Sequence, residues 1–136
     1  HYAAENMKQT VVPFRNGIMI SIAVGYAESI GASVVAYGNH AGDHAIYPDC
    51  RPKFFEAMFE AAYAGTFARI KLSSPFLNIT KTDIVRIGVL LGVPYDLTYS
   101  CYKALGPSHC GVCGACTERK EAFRDSRVPD PTVYLE

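Results

Sequence analysis

Apolar residues at Met19, Ile22, Ala23, Tyr26, Ala27 and Ile30 return every three or four positions, the period of a helix with one buried stripe. Gly31 follows where a left-handed stop would fall, so the spacing predicts a helix from Asn16 to Ile30. Ser33 to Gly38 is short, β-branched and almost wholly apolar, which reads as a strand covered on both faces. A long loop, Asn39 to Arg51, leaves it. Pro52 suits a first helical position, and Phe54, Phe55, Met58, Phe59 and Ala62 make one broad apolar face up to Gly65. Arg69 to Leu72 is the next strand candidate, with Ile70 and Leu72 alternating against Arg69 and Lys71. Thr80 followed by Asp83 resembles a capping box, and Ile84, Ile87, Gly88 and Leu91 continue the helical period from Lys81 to Leu91. A last helix is predicted over Ala115–Ser126, before a proline-rich, irregular tail.

Helix, strand, loop, helix, strand, loop, helix is the rhythm of an α/β protein with a parallel sheet. Two strands are few for that many amphipathic helices, and such folds normally begin with a strand whose first turn binds phosphate. With His1 in place of an opening Met, the expectation is a single α/β domain over residues 1–136 whose N-terminal phosphate-loop unit lies upstream.

Composition narrows the partners. The 136 residues carry 13 Lys+Arg against 13 Asp+Glu, a formal net charge of zero, which disfavours wholesale binding to nucleic acid or to an anionic membrane. No run approaches the ~20 apolar residues of a bilayer span, and no signal peptide opens the chain, so a cytoplasmic protein is expected.

The strongest chemical signal is C-x8-C-x2-C-x2-C, formed by Cys101, Cys110, Cys113 and Cys116. Four thiolates at this spacing can close a tetrahedral shell, and Gly111 and Gly114 free the backbone to turn its amides toward the sulfurs. One structural Zn²⁺ per chain is the leading reading of the 101–116 loop; an iron–sulfur cluster, a redox C-x-x-C pair or plain buried thiols are the alternatives. A closed shell leaves no position for substrate, so this site would pin the last helix rather than catalyse. With four thiolates and one Zn²⁺ the net charge becomes about −2.

Loop 39–51 leaves the carboxyl end of a strand, where ligands bind in open α/β sheets, and it carries His40, Asp43, His44, Asp49 and Arg51. The plainer alternative is a solvated loop whose Asp49 caps the helix beginning at Pro52. His40 and His44 have helical spacing but no third ligand nearby, which argues against a second metal. Cys50 reads as a small buried residue, with a functional thiol as the alternative. Arg15 and Asn16 at a helix start could seat an anion, although Asn16 could be only the N-cap. Lys81 is a cation in a first helical turn, an unfavourable place unless an anion compensates it or solvent screens it.

The segments V-P-F-R-N, Y-P-D-C-R, I-T-K-T-D-I and S-C-Y before the cysteine array occur here in the order and spacing of one family. From about Val12 onward the chain resembles the C-terminal majority of the 7-cyano-7-deazaguanine synthases, nitrile-forming enzymes of queuosine precursor biosynthesis. The resemblance implies an ATP-pyrophosphatase-type (adenine-nucleotide alpha-hydrolase) α/β fold, a homodimer and structural zinc. It implies that ATP, with Mg²⁺, adenylates 7-carboxy-7-deazaguanine, that ammonia displaces AMP to give the amide, and that a second activation gives the nitrile. It places Arg15, Asn16 and Lys81 near the ATP phosphates, Asp43, Asp49 and Arg51 toward the deazapurine, and zinc on the four cysteines; no residue is assigned as acid or base.

This chemistry suits the residue types: a carboxylate is a poor electrophile until its oxygen becomes a leaving group, and cations must neutralise the phosphates that make it one. Two departures stand out. The family's S-G-G-x-D-S loop does not occur among these residues, and His44-Ala45-Ile46 stands where many relatives carry a Ser-Gly pair. Two rivals are another ATP-pyrophosphatase-type enzyme, amidating or tRNA-modifying, and a non-enzymatic zinc-binding interaction module.

Overall fold

The computed structural model describes residues 10–103 and 106–135. Ala104 and Leu105 of the predicted zinc loop, and Glu136 of the tail, lie outside them. Contacts divide the described residues into two compact units, 10–79 and 80–135.

In the first unit, α1 (Arg15–Ser29), β1 (Val34–Ala36), α2 (Pro52–Gly65) and β2 (Lys71–Ser73) follow one another. The strands pair in parallel, with Val35 opposite Leu72, so the α/β reading with a parallel sheet holds. Loop 39–51 is tightened into two 3₁₀ turns, Ala41–Ala45 and Pro48–Cys50. Helix α2 has the predicted bounds, and Phe54, Phe55, Met58 and Phe59 pack against a core of Ile20, Val24, Ala27, Ala62, Ile70 and Leu72. Strand β2 starts two residues later than expected. Arg69 sits at φ 52°, a left-handed conformation no strand residue holds, and its N–H closes a turn on the Thr66 carbonyl.

Helix α1 corrects the predicted core face. Its buried residues are Gly17, Ile20, Val24 and Ala27, whereas Met19, Ile22, Tyr26 and Ile30 are 60–68% exposed. The helix is apolar on two sides, and a period read from one sequence registers both without saying which meets the core. Val34 and Ala36 are also exposed, so the expectation of a strand covered on both faces is not met among the described residues. Gly31, at φ 72°, ends α1 as its position predicted, and the Ala32 N–H bonds the Ala27 carbonyl.

The second unit contains α3 (Lys81–Leu90) and α4 (Gly114–Ser126). Thr80 and Asp83 form the predicted capping box reciprocally: the Thr80 hydroxyl accepts from the Asp83 N–H and the Asp83 carboxylate accepts from the Thr80 N–H. The two helices meet through Val85, Ala122 and Phe123, with Tyr95 packed edge-on to Phe123 at 5.0 Å between centroids. Gly88 makes room for this tyrosine, since a Cβ there would stand 1.9 Å from the Tyr95 oxygen. The buried stripe therefore runs through Val85 and Gly88, and Leu91 is exposed. The tail is irregular as expected, apart from one parallel bridge between Tyr134 and His109.

Candidate functional site

The cysteine loop is the most completely built feature of the second unit. Cys101, Cys110 and Cys116 are buried, Cys113 is half-buried, and all four sulfurs lie within 4.8 Å of one another. Cys110 and Cys116 stand 3.9 Å apart, too far for a disulfide at about 2.05 Å. A tetrahedral shell with metal–sulfur distances of about 2.3 Å has sulfur–sulfur edges near 3.8 Å, so this donor set fits one tetrahedral ion.

Backbone amides point at the sulfurs. The N–H groups of Cys110 and Lys103 donate to Cys101 Sγ at 3.3 and 3.4 Å, and that of Cys113 to Cys110 Sγ at 3.3 Å. The Cys110 amide above all brings the Cys101 thiol down to about 6, against the opposing effect of burial, with the Lys103 amide assisting. Gly111 holds φ 71°, as a turn between ligands requires; Gly114 instead opens α4.

Arg119 ties this loop to its surroundings. Its buried guanidinium donates to the hydroxyls of Thr132, Thr98 and Ser100 and to the Tyr95 carbonyl, with Asp130 at 3.7 Å. Ser100 precedes Cys101, and Thr132 precedes Val133, whose carbonyl accepts the His109 N–H next to Cys110. Nothing in the sequence reading singled out Arg119. Its spacing could have done so, because Cys116, Arg119, Ala122 and Phe123 fall on one helical stripe.

Lys81 belongs to the same unit, and its ammonium pairs with the Glu118 carboxylate. The compensating anion that its position called for is thus supplied by the protein itself.

The loop residues gather in the first unit. Asp49, which is buried, accepts the Asn16 N–H on Oδ2 at 2.9 Å, so it caps α1 from 33 positions away rather than the helix at Pro52. The carboxylate thereby occupies the positive end of α1. Asn16 is not the N-cap; Phe14 holds that place at φ 57° and ψ 21°, a left-handed conformation that costs a bulky residue about 1–2 kcal/mol. The Asn16 amide donates instead to the Asp49 carbonyl and to Cys50 Sγ, at 3.3 and 3.2 Å. Asn39 donates to the Cys50 carbonyl and accepts from Ser74, which fixes the loop to the end of β2. Burial, then Asp43 and Asp49, push the Cys50 thiol up to about 12, outweighing Asn16 and Arg15, so it stays protonated at neutral pH as a small buried residue does. Asp43 pairs with His40 at 3.4 Å, and Arg51 donates from Nε to the His44 carbonyl. Arg15 is exposed. The structure thus brings Arg15, Asn16, Asp43, Asp49 and Cys50 around one corner.

These features can be set beside known proteins. The profile of the queuosine biosynthesis protein QueC matches residues 1–127. The chain belongs to this family. It is 57% identical over 133 residues to a 7-cyano-7-deazaguanine synthase of Porphyromonas gingivalis strain ATCC 33277, covering 98% of this chain and 60% of that protein. It is 54% identical over 134 residues to the synthase of Desulfotalea psychrophila, covering 98% of the chain and 61% of the relative. For the synthase of Caldicellulosiruptor bescii the values are 52% over 134 residues, 98% and 60%. The chain thus spans about three-fifths of the length of the curated relatives it matches. Within the QueC family frame the cysteine loop and the loop 39–51 corner are the two places where this chain concentrates chemistry. Among the described residues no helix is long and apolar enough to cross a membrane.

Proposed function

We propose that this chain is the substrate-recognising and zinc-binding part of a 7-cyano-7-deazaguanine synthase, converting 7-carboxy-7-deazaguanine, ammonia and ATP into the nitrile. The observation that carries this is 52–57% identity to relatives of that name over nearly the whole chain. The fold would be of the ATP-pyrophosphatase type, to which the parallel β1–β2 pair and its helices correspond in part.

Cys101, Cys110, Cys113 and Cys116 would hold one Zn²⁺. Bound there, the ion supplies structure and no open position for chemistry. Its role is to lock 101–116 onto α4 through the contacts Arg119 makes on either side.

ATP, as its Mg²⁺ complex, and the carboxylate are substrates. The carboxylate attacks the α-phosphorus, pyrophosphate leaves, and ammonia displaces AMP from the acyl adenylate to give the amide. The amide oxygen is adenylated in turn, and loss of AMP and a proton gives the nitrile. From this chain, Arg15 is the exposed cation suited to a phosphate oxygen. Asn16 and Lys81 would serve there only by exchanging their bonds to the loop and to Glu118. Asp43, Asp49 and Arg51 would face the deazapurine. A homodimer in the cytoplasm is the matching assembly and location, and the exposed apolar side of α1 gives a second copy a surface to bury.

The reading is tested by incubating the whole polypeptide, zinc-loaded, with ATP, ¹⁵N-ammonia and 7-carboxy-7-deazaguanine. Mass spectrometry should show a nitrile carrying the label. Turnover of a different carboxylate or of a tRNA base, with none of this acid, would favour the related adenylating enzymes instead.

A further inference from the structure

Beside the corner that holds Asp49 lies a cleft of about 270 Å³, lined among the described residues by Val11, Pro13, Phe14, Pro48, Asp49 and Phe54. Its walls are apolar except for the carboxylate. Phe14 and Phe54 stand nearly perpendicular, at 89° with centroids 5.9 Å apart, so a flat guest can lie against one ring and meet the edge of the other.

The backbone goes out of its way to put Phe14 there. A phenylalanine at φ 57° is uncommon, and such conformations in bulky residues gather at ligand clamps. Its ring lies on the helix over Gly17, where a Cβ would stand 2.4 Å from Phe14 Cε1. Both the left-handed turn and the missing Cβ are needed to hold the ring in this position.

Asp49 is 7% exposed, yet only half of its carboxylate is used by the protein. Oδ2 accepts the Asn16 N–H, whereas Oδ1 accepts nothing among the described residues. Asp49 lines the cleft, and that is where a donor can reach its free oxygen.

We infer that this cleft is the subsite for the pyrimidine edge of a guanine-type base, with Asp49 Oδ1 accepting from its 2-amino and ring N–H groups and Phe14 and Phe54 packing on its plane. This rests on the proposed function, which makes a 7-deazaguanine the substrate, and narrows it. Of the three residues placed toward the deazapurine, Asp49 lines the cleft, whereas Asp43 is engaged by His40 and Arg51 by the His44 carbonyl. The volume is close to the lower end of small-molecule sites, about 300 Å³, which suits one bicyclic base and not a whole nucleotide. Adenine-type rings present an acceptor at the ring position where guanine presents a donor, and would be turned away by the carboxylate.

The test is calorimetric titration of the zinc-loaded whole polypeptide with 7-cyano-7-deazaguanine and with its analogue lacking the 2-amino group. Wild-type protein should prefer the amino compound by about tenfold or more, the discrimination expected of a hydrogen bond to a charged group. Asp49→Asn can still accept the Asn16 N–H, but it presents an NH₂ donor to the cleft in place of Oδ1, so the preference should vanish. Phe14→Gly keeps the left-handed turn and removes the wall, and should weaken both compounds about tenfold. A merely structural role for Phe14 would instead lower the thermal midpoint and leave affinity unchanged. Retained discrimination in Asp49→Asn, or wild-type affinity in Phe14→Gly, in protein that still makes the nitrile overturns the subsite and leaves the function standing. Wild-type protein that neither binds the base nor makes the nitrile overturns both. Should Asp49→Asn not fold, the Phe14→Gly titration decides.

Discussion

Replacing Arg119 by methionine keeps most of the side chain's bulk and removes its charge and fork. The guanidinium is 7% exposed and bonds four oxygens at 2.6–3.2 Å, so the loss is that of a buried polar hub. Breaking a buried charge pair by removing one partner costs about 3–5 kcal/mol. Here Asp130 keeps its bonds from Thr132 and Tyr134, and the Thr98 hydroxyl keeps the bond it donates to the Tyr95 carbonyl. The Tyr95 carbonyl likewise keeps its bonds from the Thr98 hydroxyl and N–H, which puts the expected loss at the lower end, about 3 kcal/mol. Urea unfolding of the zinc-loaded protein measures it. Because Arg119 holds the segments on both sides of the cysteines, zinc transfer to a chromogenic chelator should also quicken. Arg119→Lys keeps the charge but cannot reach four acceptors at once, and should fall between. A loss below about 1 kcal/mol for methionine would refute the hub, and a full loss with unchanged zinc release would refute its link to the cysteine loop.

Metal analysis of purified protein should give about one zinc per chain, with loss of the metal in Cys113→Ser; iron in its place would overturn the assignment. Cys50, buried and pushed up to about 12, should resist a disulfide reagent at pH 8 in the folded protein and react fully in denaturant, whereas fast reaction in the folded state would contradict its burial. Burial would raise Asp130, but bonds from Thr132 and Tyr134 outweigh it and hold the carboxyl below its ordinary 3.8. Its contribution is therefore present above about pH 4 and lost as pH falls through the lower folded value. The stability gap between wild type and Asp130→Asn should shrink below pH 4; a gap independent of pH from 6 to 3 would count against this.

Local chemistry was legible in the sequence wherever neighbours along the chain decide the outcome. The Thr80–Asp83 box, the Pro52 start, the Gly31 stop and the cysteine spacing all depend on residues a few positions apart. The face of α1 was not legible, because Ile20 and Ile22 are equally apolar and only tertiary packing chooses between them. Charge pairing failed to show for the same reason. Asp49 precedes Pro52 by three positions yet caps a helix 33 residues earlier, and Glu118 answers Lys81 from 37 residues away. The cleft was invisible because its walls, Phe14 and Phe54, come from segments 40 residues apart, and Phe14's left-handed backbone has no signature in residue type.

The most direct measurement of the central reading is the ratio of AMP to nitrile when the whole, zinc-loaded polypeptide is given ATP, ammonia and 7-carboxy-7-deazaguanine. Two activations predict two AMP and two pyrophosphate for each nitrile, with the amide as an intermediate that the enzyme also accepts. Folded, zinc-loaded protein that releases no AMP and forms no nitrile would contradict the account.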